Sequence, residues 1–339
     1  MAVAGIMSAM DIFKSIYQKH WATLSNGVLK QLSEECWLRF IELGMHDRNW
    51  EDRQYLDLKP MYENFTNAPT KKIKKTGVSS AFNSAYKNNI LLENGTIKHA
   101  RISDDVNVST ISQLSSGELN DFVIKIKKLV VKESNPFVLL NWALFSDGVL
   151  IRITEKSSIQ LAITSECDSH IFVSPFVFIE CGKYSNTEII YQEIRDQRAL
   201  AGVTSVLLLE ANEHAQVRID NLLIDSGHGF HLSQARYLLQ QSATVSVQAV
   251  FRGAEMSRLD ISADLIASGV TFNCRILSIL KGFCQQHHFI RIHHRASHGV
   301  SSQLFKNILL DKSKISVDGT VEVSREAKQT KSEQLINNL

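Results

Sequence analysis

Five histidines crowd into twelve residues near the end of the chain: His287, His288, His293, His294 and His298. Imidazole is the commonest metal ligand, and a zinc site needs three or four converging N or S donors, each oriented by a further partner. Read as a strand, the segment puts His288, Ile290, Ile292 and His294 on one face and His287, Phe289, Arg291 and His293 on the other. Neighbours on one face stand roughly 6.5 Å apart, so the strand alone does not gather a ligand set. The competing role for these rings is to cap strand ends through hydrogen bonds to the backbone. Candidate metal ligands are therefore His294, His298 and Cys284, the last standing just before Gln285-Gln286-His287-His288, where a Cys/His pair could hold iron transiently. Cys167 and His170 form a second such pair at i, i+3, whereas Cys274, in phase with Val270, Phe272 and Ile276, reads as a small core residue.

Other chemistries leave no trace. The chain has no G-x-x-x-x-G-K-[ST] phosphate loop, no G-x-S-x-G elbow and no H-E-x-x-H helix. Gly227-His228-Gly229 is a lone glycine-rich turn, and Glu210 and Glu213 read as solvated carboxylates near a turn. Five scattered cysteines make neither a disulfide framework nor a C-x-x-C pair, which fits a reducing cytoplasm. A net charge of +2 over 339 residues gives no case for nucleic acid or an anionic membrane, and Lys71-Lys72-Ile73-Lys74-Lys75 reads as a solvated loop. No segment has the length of a membrane span, and residues 1–10 lack the pattern of a secretory signal.

The elements that must position these residues change character along the chain. Ile12, Phe13, Ile16 and Tyr17, then Leu32, Cys36, Phe40 and Ile41, recur at helical spacing, with Ser25-Asn26-Gly27 as a break. Residues 64–96, rich in Lys, Asn, Ser and Thr, read as a loose connector. Beyond about Asn135 the period becomes two. Thr244–Ala249, Leu259–Leu265 and Val270–Ile276 alternate strictly, and no amphipathic helix of useful length intervenes. A sandwich, an antiparallel barrel and a parallel β-helix all remain open. Four prolines, few two-residue hairpin signals and apolar runs such as Val206–Leu209 favour the β-helix.

An ordered set of short motifs sharpens this. His294, Ser301, Gln303 and Lys306 are followed by Gly319, Val321 and Val323, then by Ala327, Thr330, Gln334 and Leu339. Upstream stand Phe137–Leu144 with Asp147-Gly148, and Trp50, Tyr55, Asp57 and Leu58. Position by position the chain resembles the SufB/SufD family of iron–sulfur cluster assembly proteins, densely at the end and thinly between about 155 and 240. Phe137–Leu144 looks like the opening strand of that family's core, and Trp50–Leu58 like the W-x-x-x-x-Y-x-D-L segment of SufD-type members. Val317 departs from the family pattern, which has Phe before x-Gly. The Cys-Ser-His-Gly signature and the C-terminal helices that grip the partner ATPase would lie beyond Leu339.

The resemblance implies an α+β, mostly β fold. Residues 1–100 form an N-terminal helical domain with its connector, and residues 101–339 a right-handed parallel β-helix, truncated before its C-terminal helices. It also implies a non-enzymatic, cytoplasmic, SufD-like scaffold subunit that pairs with a SufB-like subunit through the last β-helix strands. A SufC-like ATPase is the second partner, its binding impaired without the C-terminal helices, and an iron–sulfur cluster forms transiently at the level of the complex. His294, Ser301, Gln303, Lys306, Gly319, Thr330 and Gln334 are then signature and interface residues. Two other readings compete: a secreted β-helix enzyme acting on polysaccharide, and a metal-dependent hydrolase using the histidine cluster.

Overall fold

The computed structural model describes residues 9–24, 27–44, 86–131, 133–145, 147–167, 172–195, 201–224, 229–252 and 254–339. Four helices are α1 (Ala9–Thr23), α2 (Gly27–Leu43), α3 (Ser116–Val130) and α4 (Pro136–Leu144). The early strands are β1 (Asn88–Glu93), β2 (Thr96–Arg101), β3 (Val106–Thr110), β4 (Val149–Ile153), β5 (Ser158–Cys167) and β6 (Phe172–Val173). They are followed by β7 (Phe176–Cys181), β8 (Asn186–Arg195), β9 (Ala201–Ala211), β10 (Gln216–Ile224), β11 (Gly229–Leu239) and β12 (Thr244–Arg252). The last are β13 (Met256–Leu265), β14 (Thr271–Leu280), β15 (Gln285–His294), β16 (Val300–Leu309), β17 (Lys314–Val323) and β18 (Lys331–Asn338).

From β7 onward, successive strands alternate between two sheets. The first sheet runs β18-β16-β14-β12-β10-β8-β5-β1-β2, and the second β17-β15-β13-β11-β9-β7-β4-β3. Stacked strands pair in parallel with unshifted register, as in Val217↔Val245↔Phe272↔Ser301. The result is the expected parallel β-solenoid, of about six turns. Antiparallel pairing among the described residues is confined to β1–β2 and β3–β4.

Alternation decides what each strand buries. Leu207, Ala235, Ile261 and Ile290 occupy one register position on consecutive strands of the second sheet and form an aliphatic ladder between the sheets. Each fully buried branched side chain contributes about 1.5–3 kcal/mol. The run Val206–Leu209 is apolar throughout because both faces of β9 are covered: Leu207 and Leu209 face the solenoid core, while Val206 and Leu208 face the helices. The turns need neither proline nor tight hairpins. Tyr184, His214, Ser242, Gly269 and His298 stack at equivalent turn positions with φ between 52° and 72°. Each passes its N–H to the next turn, as in His214 N to Gln241 O at 2.9 Å and Ser242 N to Ser268 O at 3.0 Å.

The helices cover the outer face of the second sheet, where Phe13, Leu32, Phe40 and Leu139 join Leu208, Phe230, Leu232 and Met256 in one cluster. Tyr17 stacks on Trp37 at 4.2 Å. Helix α3 starts with a capping box in which the Ser115 hydroxyl accepts from Glu118 N and the Glu118 carboxylate from Ser115 N. Ile41, expected on the packed face of α2, is 45% exposed.

Three further expectations are overturned. Phe137–Leu144, assigned to an opening strand, is helix α4. Asn135 caps it by accepting from Phe137 N at 2.9 Å, and Pro136 presets the first helical φ. All nine of its residues are buried, so it shows no amphipathic period to separate it from a core strand. Residues 88–96, read as connector, form β1 and the start of β2, joined at Asn94-Gly95 with φ 53° and 86°. That is the two-residue Asn-Gly hairpin, and β1 continues the first sheet by pairing with β5. Glu210 is not simply solvated, since it takes an ion pair from Lys125 of α3. Trp50, Tyr55, Asp57, Leu58, the lysines at 71–75, His170 and Gly227-His228 lie outside the described residues.

Candidate functional site

The last turns of the solenoid carry most of the residues picked out in the sequence. Strand β15 orients its histidines as alternation requires: His288 and His294 point between the sheets with Ile290 and Ile292, and all four are at most 2% exposed. Their partners are serines. His288 Nε2 meets Ser278 Oγ at 2.9 Å, and His294 Nε2 meets Ser301 Oγ at 3.0 Å. On the other face His287 Nδ1 meets Ser316 Oγ at 2.7 Å and His293 Nε2 meets Ser324 Oγ at 3.0 Å. The capping role expected for these rings is thus taken up by hydroxyls of adjacent turns, not by the backbone.

Burial disfavours the charged form of three of these rings, His287, His288 and His294. It pushes His288 down to about 3, with His287 adding to the effect, and His287 down to about 4, with the Arg258 charge adding. His294 is lowered by burial first and by His293 second. Apolar walls close around His288, with the Phe251 and Phe305 ring centroids at 5.6 and 6.0 Å.

The three metal candidates are not brought together. Cys284 precedes β15 and His294 ends it, ten residues away, which is about 33 Å along an extended strand. His298 sits in a turn with φ 61°, exposed to solvent. Among the described residues no group of three His, Cys, Asp or Glu is placed to hold a metal ion. Cys36, Cys181 and Cys274 are buried, and burial pushes each thiol up to about 12. Thiols of that kind are poor nucleophiles and poor ligands at neutral pH.

Of the seven signature residues, His294, Ser301, Gln303, Gly319 and Gln334 lie close together in the last turns. Ser301, Gln303, Phe305 and Asn307 of β16 pair in register with Ser332, Gln334, Ile336 and Asn338 of β18. Ser301 donates to Ser332 at 3.0 Å and Asn307 to Asn338 at 2.8 Å, so polar ladders replace the aliphatic ones at this end. Gly319 lies against Gln334: a Cβ there would stand 2.1 Å from Gln334 Nε2, so the position accepts only glycine unless the amide moves. Gly299 is crowded in the same way, since its Cβ would fall 2.6 Å from His294 Nδ1. Lys306 points outward into solvent, and Thr330 sits just before β18.

A second polar group was not picked out in the sequence. Inside the solenoid, His231 of β11 lies 3.0 Å from the Glu193 carboxylate of β8, both about 5% exposed or less. Tyr191 donates to Glu193 at 3.2 Å, and Ser205 lies 3.5 Å from the same His231 nitrogen. Burial by itself would raise the Glu193 carboxyl, but His231, with Ser205 and Tyr191, pulls it below the usual carboxylate value. The available signal was phase: Glu193 follows Ile189 and Tyr191 at period two, on the buried side of its strand. No hydroxyl here is set up for nucleophilic catalysis, because Ser205 and Glu193 contact one and the same ring nitrogen.

A family model described as the SUF system FeS cluster assembly, SufBD core domain, matches residues 163–339. The match begins inside β5 and takes in every later turn of the solenoid. A comparison with curated proteins found no match.

Proposed function

Since the chain belongs to the SufBD core family of SUF iron–sulfur cluster assembly, we propose that it is a SufD-like scaffold subunit rather than an enzyme. In this reading it works in the cytoplasm and pairs with a SufB-like β-helix subunit and a SufC-like ATPase. The nascent iron–sulfur cluster is cargo of the assembled complex, not a resident cofactor of this chain.

One observation carries the reading: the family match spans the solenoid from β5 to its last strand, and five of the seven signature residues meet in its final turns. The architecture supports it physically. A stack of parallel rungs is a stiff spacer that needs no bound cofactor to hold its shape. β17 and β18 are the outermost strands of the two sheets at this end. The side chains of β18 are exposed along its whole length. Main-chain N–H and C=O groups on such an edge accept strand addition from another chain, which is how a sister solenoid would join. No described helix is long and apolar enough to cross a membrane.

Co-expression of the tagged chain with a SufB-like and a SufC-like protein tests this. Recovery of a stable complex, lost when a charge is placed inside the terminal ladder by Gln303→Glu, is the expected outcome. Elution of the folded chain alone at micromolar concentrations of both partners would overturn it.

A further inference from the structure

Glu133, Ser134 and Asn135, just before α4, border a cleft of about 310 Å³ on the outer face of the second sheet. That size lies at the small end of pockets that take metabolites. Two rows of side chains make its floor, set by strand register. One row is Val206, Gln234, Asp260, Phe289 and Asp318; the next is Leu208, Arg236, Ser262, Arg291 and Thr320. Val138 and Trp142 of α4 form the apolar wall above them.

The buried charges of the cleft are already matched, while Arg291 and Asp318 stand exposed to solvent. Arg236 donates to the Glu133 carboxylate, whose other oxygen accepts Asn135 N at 2.8 Å. Asp260 accepts from Arg258 at 2.8–3.0 Å and from Asn135 Nδ2 at 2.6 Å. Arg258, 2% exposed, holds its guanidinium carbon over the Phe289 ring, 3.7 Å from the centroid. No unbalanced charge is left in the depth of the cleft to draw an ion.

Gln234 is the exception to this satisfaction. It is 5% exposed, and neither its amide oxygen nor its amide nitrogen has a protein partner. A buried amide without partners is unfavourable, and one beside a cleft calls for an explanation. Its terminal torsion is soft, so a small rotation at the cleft floor presents one acceptor and two donors together. A carboxamide used in that way pairs with an edge that offers a donor beside an acceptor. The flat apolar wall of Trp142 and Val138 suits a ring face.

We infer that this cleft binds a small neutral planar molecule with adjacent hydrogen-bond donor and acceptor, the chemistry of a nucleobase edge, read by Gln234. The inference does not depend on which partners the solenoid takes.

The test uses the full chain and four probes, adenosine, guanosine, cytidine and uridine, followed by saturation-transfer NMR and calorimetry. At least one nucleoside is expected to bind with a Kd below about 1 mM. Gln234→Leu, which keeps the volume and removes the edge, is expected to weaken it about tenfold or more. Ser262→Phe, which fills the cleft from the sheet side, does the same and decides the matter if Gln234→Leu fails to fold. The inference is overturned if none of the four binds at about 1 mM, or if a variant that keeps its circular dichroism binds as well as the parent. It is also overturned if the matching monophosphate binds more than about tenfold tighter, since charge would then be the recognised feature.

Discussion

Lowering the pH from 7.5 to 5.5 should weaken this protein through two particular rings. His287 and His288 are held neutral by burial, at about 4 and about 3, while an unfolded histidine titrates near 6.5. The unfolded chain therefore takes up protons first, and stability falls as pH drops below about 6.5, continuing until the folded values are reached. Over the stated interval each ring costs about 1.3 kcal/mol, so the pair costs about 2.5 kcal/mol. That is a sizeable fraction of the 5–15 kcal/mol typical of a folded domain. The assay is urea unfolding by far-UV circular dichroism at both pH values, on the parent and on a His287→Gln/His288→Phe variant. Phenylalanine suits the aromatic surroundings of position 288, where Phe251 and Phe305 already pack. Every other histidine contributes equally to both proteins, so the parent should lose about 2.5 kcal/mol more than the variant. Equal losses would refute the burial argument for these rings.

Further outcomes follow from the same geometry. Gly299→Ala should lower stability by about 1–3 kcal/mol, read as a lower melting temperature, because its methyl meets His294 Nδ1 at 2.6 Å. Asn135→Ala removes the cap of α4 and its bond to Asp260, and should cost about 1–2 kcal/mol in urea unfolding. Iodoacetamide at pH 8 should spare Cys36, Cys181 and Cys274 in the native protein and modify them in urea, as peptide mass mapping would show. Phe272→Ala, in the middle of the core ladder and fully buried, should cost about 3–5 kcal/mol by the same unfolding assay.

The period-two alternation of Thr244–Ala249 and Val270–Ile276 determined, by itself, which side chains of β12 and β14 face inward. The small polar turns without proline pointed to stacked rungs, and the ordered motifs from His294 to Gln334 pointed to the family. These are local properties: one strand's alternation or one motif's spacing contains the whole signal. Helix α4 was not legible because a nine-residue segment buried on every side has no contrast to give it a period. The Asn94-Gly95 turn carries a hairpin signal, but its flanking strands, one buried up to its last residue and the other mostly exposed, show no alternation to frame it. The serine partners of the histidines, the Glu193–His231 pair and the cleft over Gln234 were decided by tertiary structure. Two of those contacts, His287 with Ser316 and His293 with Ser324, join residues about one rung apart, 29 and 31 positions on, and the others join different strands. Register between rungs depends on the exact length of every turn between them, and only the folded stack fixes that length.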